Sequence, residues 1–291
     1  VFNKPPGLAV HGGSATDFGL IEALRGARPG QPDLELVHRL DRDTSGCLLV
    51  AKRRAALRDL HLQLREGQTE KHYLALVCGK WNLGTKRIEL ALDTDERRSG
   101  ERHVAVRAHG KKSVSTFKPV QFFGNLATLM EVEIDTGKTH QIRVHAAHAG
   151  HPVAGDDKYG NRIFNGIFKD YGLKRMFLHS SSLGFTRPGT REPMLASAPL
   201  PPELSAVLDT LTRGKARAPQ DERGKTLKPE GARGPIVAPR VQRPAPVVQT
   251  GKPRMGNPRT GGAKPGKPGP VKGSGPVRGE GRRRARTTGG R

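Results

Sequence analysis

Apolar and polar residues alternate along most of residues 1–213, and this pattern predicts more strands than helices. A two-residue period, or a short apolar run bounded by Gly, Pro or charged residues, is typical of strands. Nine segments fit this description: 1–13, which also contains a Pro/Gly turn, 34–40, 47–52, 71–79, 86–92, 103–108, 113–123, 126–134 and 176–185.

Four segments have the apolar spacing of helices, namely 17–27, 53–67, 140–150 and 201–214. The clearest is the second, in which Leu57, Leu60 and Leu64 form one apolar stripe and Gly67 is a stop signal. In the third, Thr139 is the predicted N-cap, and the helix is predicted to end at the final Gly of the segment.

Helices interrupt the predicted strands without the regular strand–helix–strand alternation that builds parallel sheets. We therefore predict an α+β fold in which a mixed, largely antiparallel sheet is flanked by helices. The sequence contains no internal repeat, no Walker loop and no GxGxxG after a predicted strand. It therefore gives no support to a nucleotide cofactor, and we expect none.

Charge is distributed very unevenly along the chain, which has a formal net charge of +24. Residues 214–291 contain 20 Lys and Arg against 4 acidic residues, with 16 Gly, 12 Pro and no aromatic residue. Such a segment buries too little apolar surface to offset its ordering entropy, so we predict a disordered basic tail. Residues 1–213 carry all the aromatic residues and all 11 His, and we predict that they form one globular domain.

The basic tail indicates a polyanionic partner, because Lys and Arg release condensed counterions when they neutralise phosphates. Nucleic acid is the leading partner, and the alternative is a solubilising tail that contacts nothing. No run of about 18 apolar residues occurs, so we expect no membrane association. The first residues lack the pattern of a signal peptide, and the absence of an initial Met suggests a fragment with an upstream domain missing.

Both cysteines, Cys47 and Cys78, lie in apolar runs that are predicted strands. They have no CxxC spacing, so the sequence supports neither a structural zinc site nor a disulfide framework. We expect two buried free thiols in a reducing compartment, the cytoplasm.

A charged loop, HRLDRDTSG (38–46), separates two of the predicted strands and places two carboxylates among cations. Asp, Thr, Ser and Gly are common turn formers, so one interpretation of Asp41 and Asp43 is purely structural. The other interpretation is a chemical role, and it depends on the kind of molecule that the loop would meet. The loop alone does not decide between these interpretations.

Four segments of the chain resemble, in sequence and in order, the motifs of the RluA-type pseudouridine synthases: HRLDRDTSG (38–46), KHYLALVCG (71–79), GKTHQIRVHAAHAGHPVAGDDKYG (137–160) and FLHSSSLGF (177–185). The stretch KPPGLAVHGG near the start resembles the subgroup that acts on large-subunit ribosomal RNA. The resemblance extends to about residue 213, with Lys138 as a conservative departure from the usual GRTHQIR. It implies a pseudouridine synthase catalytic domain with a central RNA-binding cleft.

The resemblance also implies roles for individual residues. Asp41 is the implied nucleophile, which leaves Asp43 as a turn residue. Arg143 is the implied ion-pair partner of Asp41, and Tyr73 stacks on the flipped uracil and acts near proton removal from its carbon 5. Leu178 lines the other side of the uracil pocket. Without the resemblance, Arg143 reads as an exposed helix arginine and Tyr73 as a core residue of a strand.

RNA binding requires further residues, because a uridine must leave its stack before it reaches a catalytic pocket. By resemblance, Arg39 fills the gap that the base leaves, and the alternatives are a phosphate contact or an ion pair with Asp43. Other cations are predicted to form a basic rim that binds RNA, although such charges are often merely solvated: Lys4, Arg42, Lys52, Arg53, Arg54 and Arg58.

Four histidines near the third predicted helix suggest a rival hypothesis, a zinc hydrolase: His140, His145, His148 and His151. No Glu or Asp has the spacing of the HExxH motif, and the RluA-type family needs no metal. We therefore expect no metal.

Together, the residues and the resemblance predict an isomerase without a cofactor, a monomeric RNA pseudouridine synthase with large-subunit ribosomal RNA as its substrate. Two alternatives stay open. One is a transfer-RNA pseudouridine synthase of the same type, and the other is a non-catalytic RNA-binding or ribosome-assembly factor. The combined presence of Asp41, Tyr73 and Arg143 favours an enzyme.

Overall fold

The structure is a computed structural model, and it describes residues 1–13, 18–96, 102–214, 217–221 and 223–229. These residues belong to a compact unit that spans Val1–Val241. The strands of the described part are β1 Phe2–Lys4, β2 Glu35–Leu36, β3 Ser45–Leu48, β4 Val50–Ala51, β5 Glu70–Cys78, β6 Lys86–Glu96, β7 Arg102–Val106, β8 Lys111–Phe123, β9 Ala127–Ile134, β10 Leu178–Thr186 and β11 Pro193–Ser197. Its helices are α1 Leu20–Gly26, α2 Arg54–Arg65, α3 Gln141–His148, α4 Arg162–Asp170 and α5 Pro202–Arg213.

Nine of the strands pair into one sheet, in the order β1-β3-β10-β5-β9-β8-β6-β7, with β11 added beside β10. The pair β3–β10 is parallel, and the other pairs of the described sheet are antiparallel. β2 and β4 form a separate two-stranded ribbon. The prediction of an α+β fold with a mixed, largely antiparallel sheet is confirmed, and each predicted strand or helix segment contains such an element.

The sheet is covered on both faces, as the central strand β5 shows. Tyr73, Ala75 and Val77 point into one apolar cluster, whereas Leu76 and Cys78 point into another, because successive side chains of a strand alternate between faces. The first cluster includes residues of α1 and α3, and the second packs under α4 and α5. The site described below lies on the face that α3 covers.

Helix α2 has the amphipathic arrangement that the sequence predicts. Leu60 is buried, and Leu57 and Leu64 pack beside it against Cys47 and other residues of the sheet. Gly67 has a φ of +70°, the left-handed conformation that commonly follows the end of a helix.

The predicted N-cap of α3 is wrong. His140, not Thr139, occupies the cap position, with the left-handed φ of +52°, and its side chain makes no cap hydrogen bond. The preceding turn is instead organised by the side chain of Gln141, whose Oε1 accepts hydrogen bonds from Thr136 Oγ1 and from the backbone N–H of Lys138. This side chain therefore replaces the predicted cap.

Two elements are absent from the sequence prediction. α4 is capped by Asn161, whose side chain accepts hydrogen bonds from the backbone N–H groups of Ile163 and Phe164. Phe164 and Phe168, one turn apart, bury its apolar face, so a cap and a helical period were both readable in the sequence. β11 is mostly exposed, so no apolar period in the sequence indicated that it pairs with β10.

Both cysteines are buried and free, as predicted. No helix within the described residues has the length and apolar character needed to cross a membrane. In the segment predicted as a tail, Ala218 is buried against the cluster under α5, and Gln220 forms an antiparallel bridge with Thr226. The prediction of disorder for residues 230–291 lies outside the described residues.

Candidate active site

Asp41 lies in the loop between β2 and β3, and backbone contacts hold this loop in place. The N–H of Thr44 donates to the carbonyl of Asp41 over 3.1 Å, and Leu49 N–H donates to His38 Nε2 over 3.1 Å. Burial lowers the pKa of His38 to about 4, so its imidazole is neutral at pH 7 and accepts this hydrogen bond. Gly46 has a φ of +112°, and a side-chain carbon there would collide with the carbonyl oxygen of Ser180.

Lys4 also holds this loop in place. The prediction that Lys4 belongs to an exposed basic rim is wrong. Its side chain is fully buried, and Nζ donates to the carbonyl oxygens of Pro5, Leu8 and Arg42 over 2.7 to 2.9 Å. Burial lowers the pKa of Lys4 to about 8, although the nearby carboxylates of Asp41 and Asp43 oppose this effect. An ammonium so enclosed has no donor left for an RNA phosphate.

A second network supports the first residue of β3. Ser45 Oγ lies 2.9 Å from His179 Nδ1, and His179 Nε2 donates to the carbonyl of Ala198 over 3.1 Å. Arg175 Nη2 donates to Ser45 Oγ and to Glu203 Oε1, both over 3.0 Å. These contacts connect the Asp41 loop to β10 and to the start of α5.

Helix α3 brings Arg143 to Asp41. Arg143 Nη1 donates to Asp41 Oδ2 over 3.2 Å, although 102 positions separate the two residues in the chain. The side chains are 12% and 19% exposed, so the pair is shielded from bulk water but open on one side. The predicted partnership of Asp41 and Arg143 therefore exists in the structure.

A second carboxylate, Asp156, binds Arg143 more closely than Asp41 does. Arg143 Nε donates to its Oδ2 over 2.7 Å and Nη2 to its Oδ1 over 2.9 Å. Asp156 Oδ1 also accepts the backbone N–H groups of Lys158 and Tyr159. Burial raises the pKa of Asp156, but these donors outweigh burial and hold the pKa below its ordinary value. Asp156 lies in the GDDKYG part of the third motif, and the sequence alone assigns it no role.

Tyr159 and His140 complete the surroundings of Arg143. The Tyr159 ring centre lies 5.1 Å from the guanidinium carbon, and its hydroxyl accepts the N–H of Val104 over 2.9 Å. The same hydroxyl lies 2.8 Å from His140 Nδ1. Burial lowers the pKa of His140 to about 4 against the opposing effect of Asp41, so His140 is neutral at pH 7. Its Nε2 lies 3.9 Å from Asp41 Oδ2.

Tyr73 and Leu178 come from neighbouring strands of the sheet. Ser180 on β10 pairs with Tyr73 on β5, two positions from the pairing of Leu178 with Ala75. Tyr73 is 7% exposed, and burial raises the pKa of its hydroxyl to about 12 against the effect of a hydrogen bond with Ser180. The phenol therefore keeps its proton at pH 7.

These side chains surround a small cavity of about 80 Å³. Five of the predicted site residues line it, together with Leu40, Thr44, Ile134 and residues 137–142: Arg39, Asp41, Tyr73, Arg143 and Leu178. Arg42 is exposed outside this lining and forms an ion pair with Asp43, over 3.3 Å. The other predicted rim cations, residues 52, 53, 54 and 58, are also exposed.

One wall of the cavity, residues 137–140, is held by Gln141. Beyond the two hydrogen bonds that its Oε1 accepts, its Nε2 donates to the carbonyl of Val114 and to Ser115 Oγ, both over 2.8 Å. Both amide donors and the carbonyl acceptor are thus used, which fixes the wall against β8. Lys138 belongs to this wall, and its side chain is exposed beside the cavity.

The histidines of the zinc hypothesis have different partners in the structure. His145 Nε2 lies 2.8 Å from Ser113 Oγ, and His151 Nδ1 lies 2.9 Å from the carbonyl of Cys78. His140 faces Tyr159, as described above. Within the described ranges, no group of three or more His, Cys, Asp or Glu is placed to hold a metal ion. The geometry gives the zinc hydrolase hypothesis no support.

A larger cavity of about 540 Å³ lies between the turn that connects β8 to β9 and the end of α5. Its lining includes Phe122, Asn125, Thr212 and Arg217, and no carboxylate is among its described lining residues. It therefore lacks the paired charges of the smaller cavity, which we take as the candidate active site.

Known proteins resemble this chain in sequence. Residues 1–148 match the family model described as RNA pseudouridylate synthase. Curated relatives called ribosomal large subunit pseudouridine synthase C include that of Pasteurella multocida, 51% identical over 216 residues, which are 74% of this chain and 66% of the relative. That of Escherichia coli is 51% identical over 217 residues, 74% of this chain and 68% of the relative. The chain thus spans about two thirds of the length of these relatives.

Solved structures share the fold. Human RNA Pseudouridylate Synthase Domain Containing 1 superposes with a TM-score of 0.55 at 25% identity, over 76% of this chain and 91% of that one. Human RNA Pseudouridylate Synthase Domain Containing 4 has a TM-score of 0.57 at 23% identity, over 72% and 88% of the two chains. By its sequence match and its sheet, this chain belongs to the RNA pseudouridylate synthase family.

Proposed function

We propose that this protein is an RNA pseudouridine synthase that isomerises uridines of large-subunit ribosomal RNA, with Asp41 as nucleophile and without a cofactor. The observation that carries the proposal is the convergence of Asp41, Arg143, Tyr73 and Leu178 on one cavity. The substrate is inferred from the relatives. They are 51% identical to this chain and are called ribosomal large subunit pseudouridine synthase C.

The reaction requires a group that attacks the ribose and later leaves it. A carboxylate oxygen of Asp41 bonds to C1′ of the ribose while the C1′–N1 bond breaks, and its electron pair goes to uracil N1. The detached uracil turns, and its C5 bonds to C1′ as the carboxylate leaves with the electron pair of the ester bond. Loss of the C5 proton and protonation of N1 complete the isomer. Glycosidases use the same property of a carboxylate.

Asp41 suits this role because it is oriented by Arg143 and lines the cavity. Arg143 donates to Oδ2 over 3.2 Å, which leaves the other carboxylate oxygen for attack. The short loop between β2 and β3, anchored by Lys4 and His38, restricts motion of the backbone. Such prior positioning lowers the entropic part of the barrier.

Tyr73 and Leu178 supply a pocket for the detached base. The aromatic ring stacks on uracil, and the apolar side chain of Leu178 contacts it from the neighbouring strand. Because the Tyr73 hydroxyl keeps its proton at pH 7, Tyr73 takes part near C5 as a neutral phenol. A base held between two such walls turns without escaping.

Arg39 is an exposed cation that lines the cavity, and it fills the place of the extruded base in the RNA helix. Extrusion costs a few kcal/mol, which a planar guanidinium stacked in the gap offsets in part. Lys138, which is also exposed and lines the cavity, contacts the phosphate next to the flipped nucleotide.

The proposal is tested with purified protein and deproteinised RNA in separate reactions. Large-subunit ribosomal RNA that lacks pseudouridine is expected to gain it at a few defined uridines, whereas transfer RNA under the same conditions gains none. Modification of transfer RNA alone would reassign the substrate, and no pseudouridine in either RNA would reject an enzyme.

A further inference from the structure

Arg143 is shared unequally between two carboxylates. Asp156 takes the Nε and Nη2 donors over 2.7 and 2.9 Å, whereas Asp41 takes only Nη1, over 3.2 Å. The two-point contact along one edge of a guanidinium is the stronger geometry. Arg143 is therefore anchored by Asp156 and presented to Asp41.

Burial and hydrogen bonding reinforce this inequality. The Asp156 side chain is 0% exposed, and Oδ1 also accepts two backbone N–H groups, so Asp156 has little freedom to move. Asp41 is 19% exposed and faces the cavity. The Tyr159 ring covers one face of the guanidinium.

The proposed chemistry, on which this inference rests, changes the charge of Asp41. When its oxygen bonds to C1′, the carboxylate becomes an uncharged ester, and the negative charge moves with the broken bond to uracil N1. Arg143 then loses the counter-ion that Asp41 supplied. A buried cation without a partner is unfavourable, which would raise the energy of the intermediate.

We propose that Asp156 is a positioning residue, the permanent counter-ion that holds Arg143 in place while Asp41 alternates between carboxylate and ester. Asp156 keeps the guanidinium paired in the intermediate and ready to receive the carboxylate when it leaves. It also takes most of the hydrogen bonding of Arg143, so that Asp41 keeps a free oxygen for attack. Asp156 itself touches no substrate.

The test compares three variants of the full-length protein in steady-state kinetics with ribosomal RNA. Asp156→Asn keeps the shape and an acceptor for the N–H groups of Lys158 and Tyr159 but removes the charge. It is expected to lower kcat about 100-fold and to leave KM within about threefold, because RNA does not contact it. Asp156→Glu restores the charge and is expected to recover about tenfold of the lost kcat.

Gln63→Ala is the matched control for lost stability. Gln63 is buried and exchanges two hydrogen bonds with the backbone of Thr186, and neither residue lines the cavity, so its loss is expected to lower the unfolding temperature without altering the site. The kcat of this control is expected to equal that of the unmodified protein. A comparable loss of kcat in Gln63→Ala would mean that the Asp156 effect reflects stability alone.

A kcat of Asp156→Asn within twofold of the unmodified protein would overturn the inference, as would a change confined to KM. If Asp156→Asn does not fold, Asp156→Ser, which also removes the charge, decides: reduced kcat with unchanged KM supports the role, and unchanged kcat overturns it. The proposed function fails separately, through activity of Asp41→Asn. An inactive Asp41→Asn beside a fully active Asp156→Asn would remove only this inference.

Discussion

Ser180 lies opposite Tyr73 where β10 pairs with β5, and both side chains are buried. The register of two strands thus fixes the orientation of the Tyr73 ring in the cavity. A bulge in β10 directly after Ser180 changes the register, so this pairing is a local feature of the site.

Replacing Tyr73 by Phe separates stacking from the contribution of the hydroxyl. The ring still fills the pocket, so we expect the RNA dissociation constant to stay within about threefold. The hydroxyl near C5 is lost, and we expect kcat to fall about 100-fold, the lower range for a group that assists proton transfer. Single-turnover kinetics and RNA-binding titrations measure the two effects. Unchanged kcat would limit Tyr73 to stacking.

We expect the folded protein to lose stability in acid because of His145. Its side chain is fully buried, and its Nδ1 has no hydrogen-bond partner. Burial, with a smaller effect of His148, lowers its pKa to about 4, whereas the unfolded chain titrates near 6.5. Below pH 6.5 the unfolded state therefore binds a proton that the folded state excludes, and stability falls as the pH drops toward 4. At pH 4.5 this difference lowers the free energy of unfolding by about 2 kcal/mol.

His145→Gln isolates this contribution. Glutamine retains an N–H donor for Ser113 and does not titrate, while His38 and His140 remain in both proteins. Urea unfolding between pH 7.5 and 4.5 is expected to give a shallower loss of unfolding free energy for the variant. Parallel curves for the two proteins would contradict the assignment to His145.

The residues of the candidate site could be picked out because each lies in a short motif whose order along the chain is distinctive. Asp41, Tyr73, Arg143 and Leu178 all reach one cavity. Strands and helices were also predictable, since their apolar periods match the faces that they bury. The local pattern of apolar residues was therefore enough to predict most of the strands and helices.

The errors concern contacts between distant segments. Lys4 resembles a surface cation in the sequence, but the carbonyl of Arg42, 38 positions away, helps to enclose it. Thr139 has the right residue type for a cap, but Gln141 bonds to β8 and takes over the turn. Asp156 becomes significant only when Arg143 is placed beside it. None of these partners is encoded by spacing along the chain.

The C-terminal residues 230–291 contain 15 Lys and Arg and 2 Glu, which predicts an electrostatic contribution to RNA affinity. We expect replacement of Arg282, Arg283, Arg284 and Arg286 by Gln in the full chain to weaken RNA binding at 50 mM salt more than at 300 mM. The slope of log affinity against log salt is expected to fall by up to about 3. Equal slopes would show that these arginines do not contact RNA.

The most direct test of the account is the rate of pseudouridine formation by Asp41→Asn on large-subunit ribosomal RNA. Asparagine keeps the size of the side chain and its hydrogen bond to Arg143 but cannot form and release the ester. The account predicts turnover at least about 10⁴-fold below the unmodified protein, with unfolding temperature and RNA affinity nearly unchanged. Turnover within tenfold of the unmodified protein would contradict it.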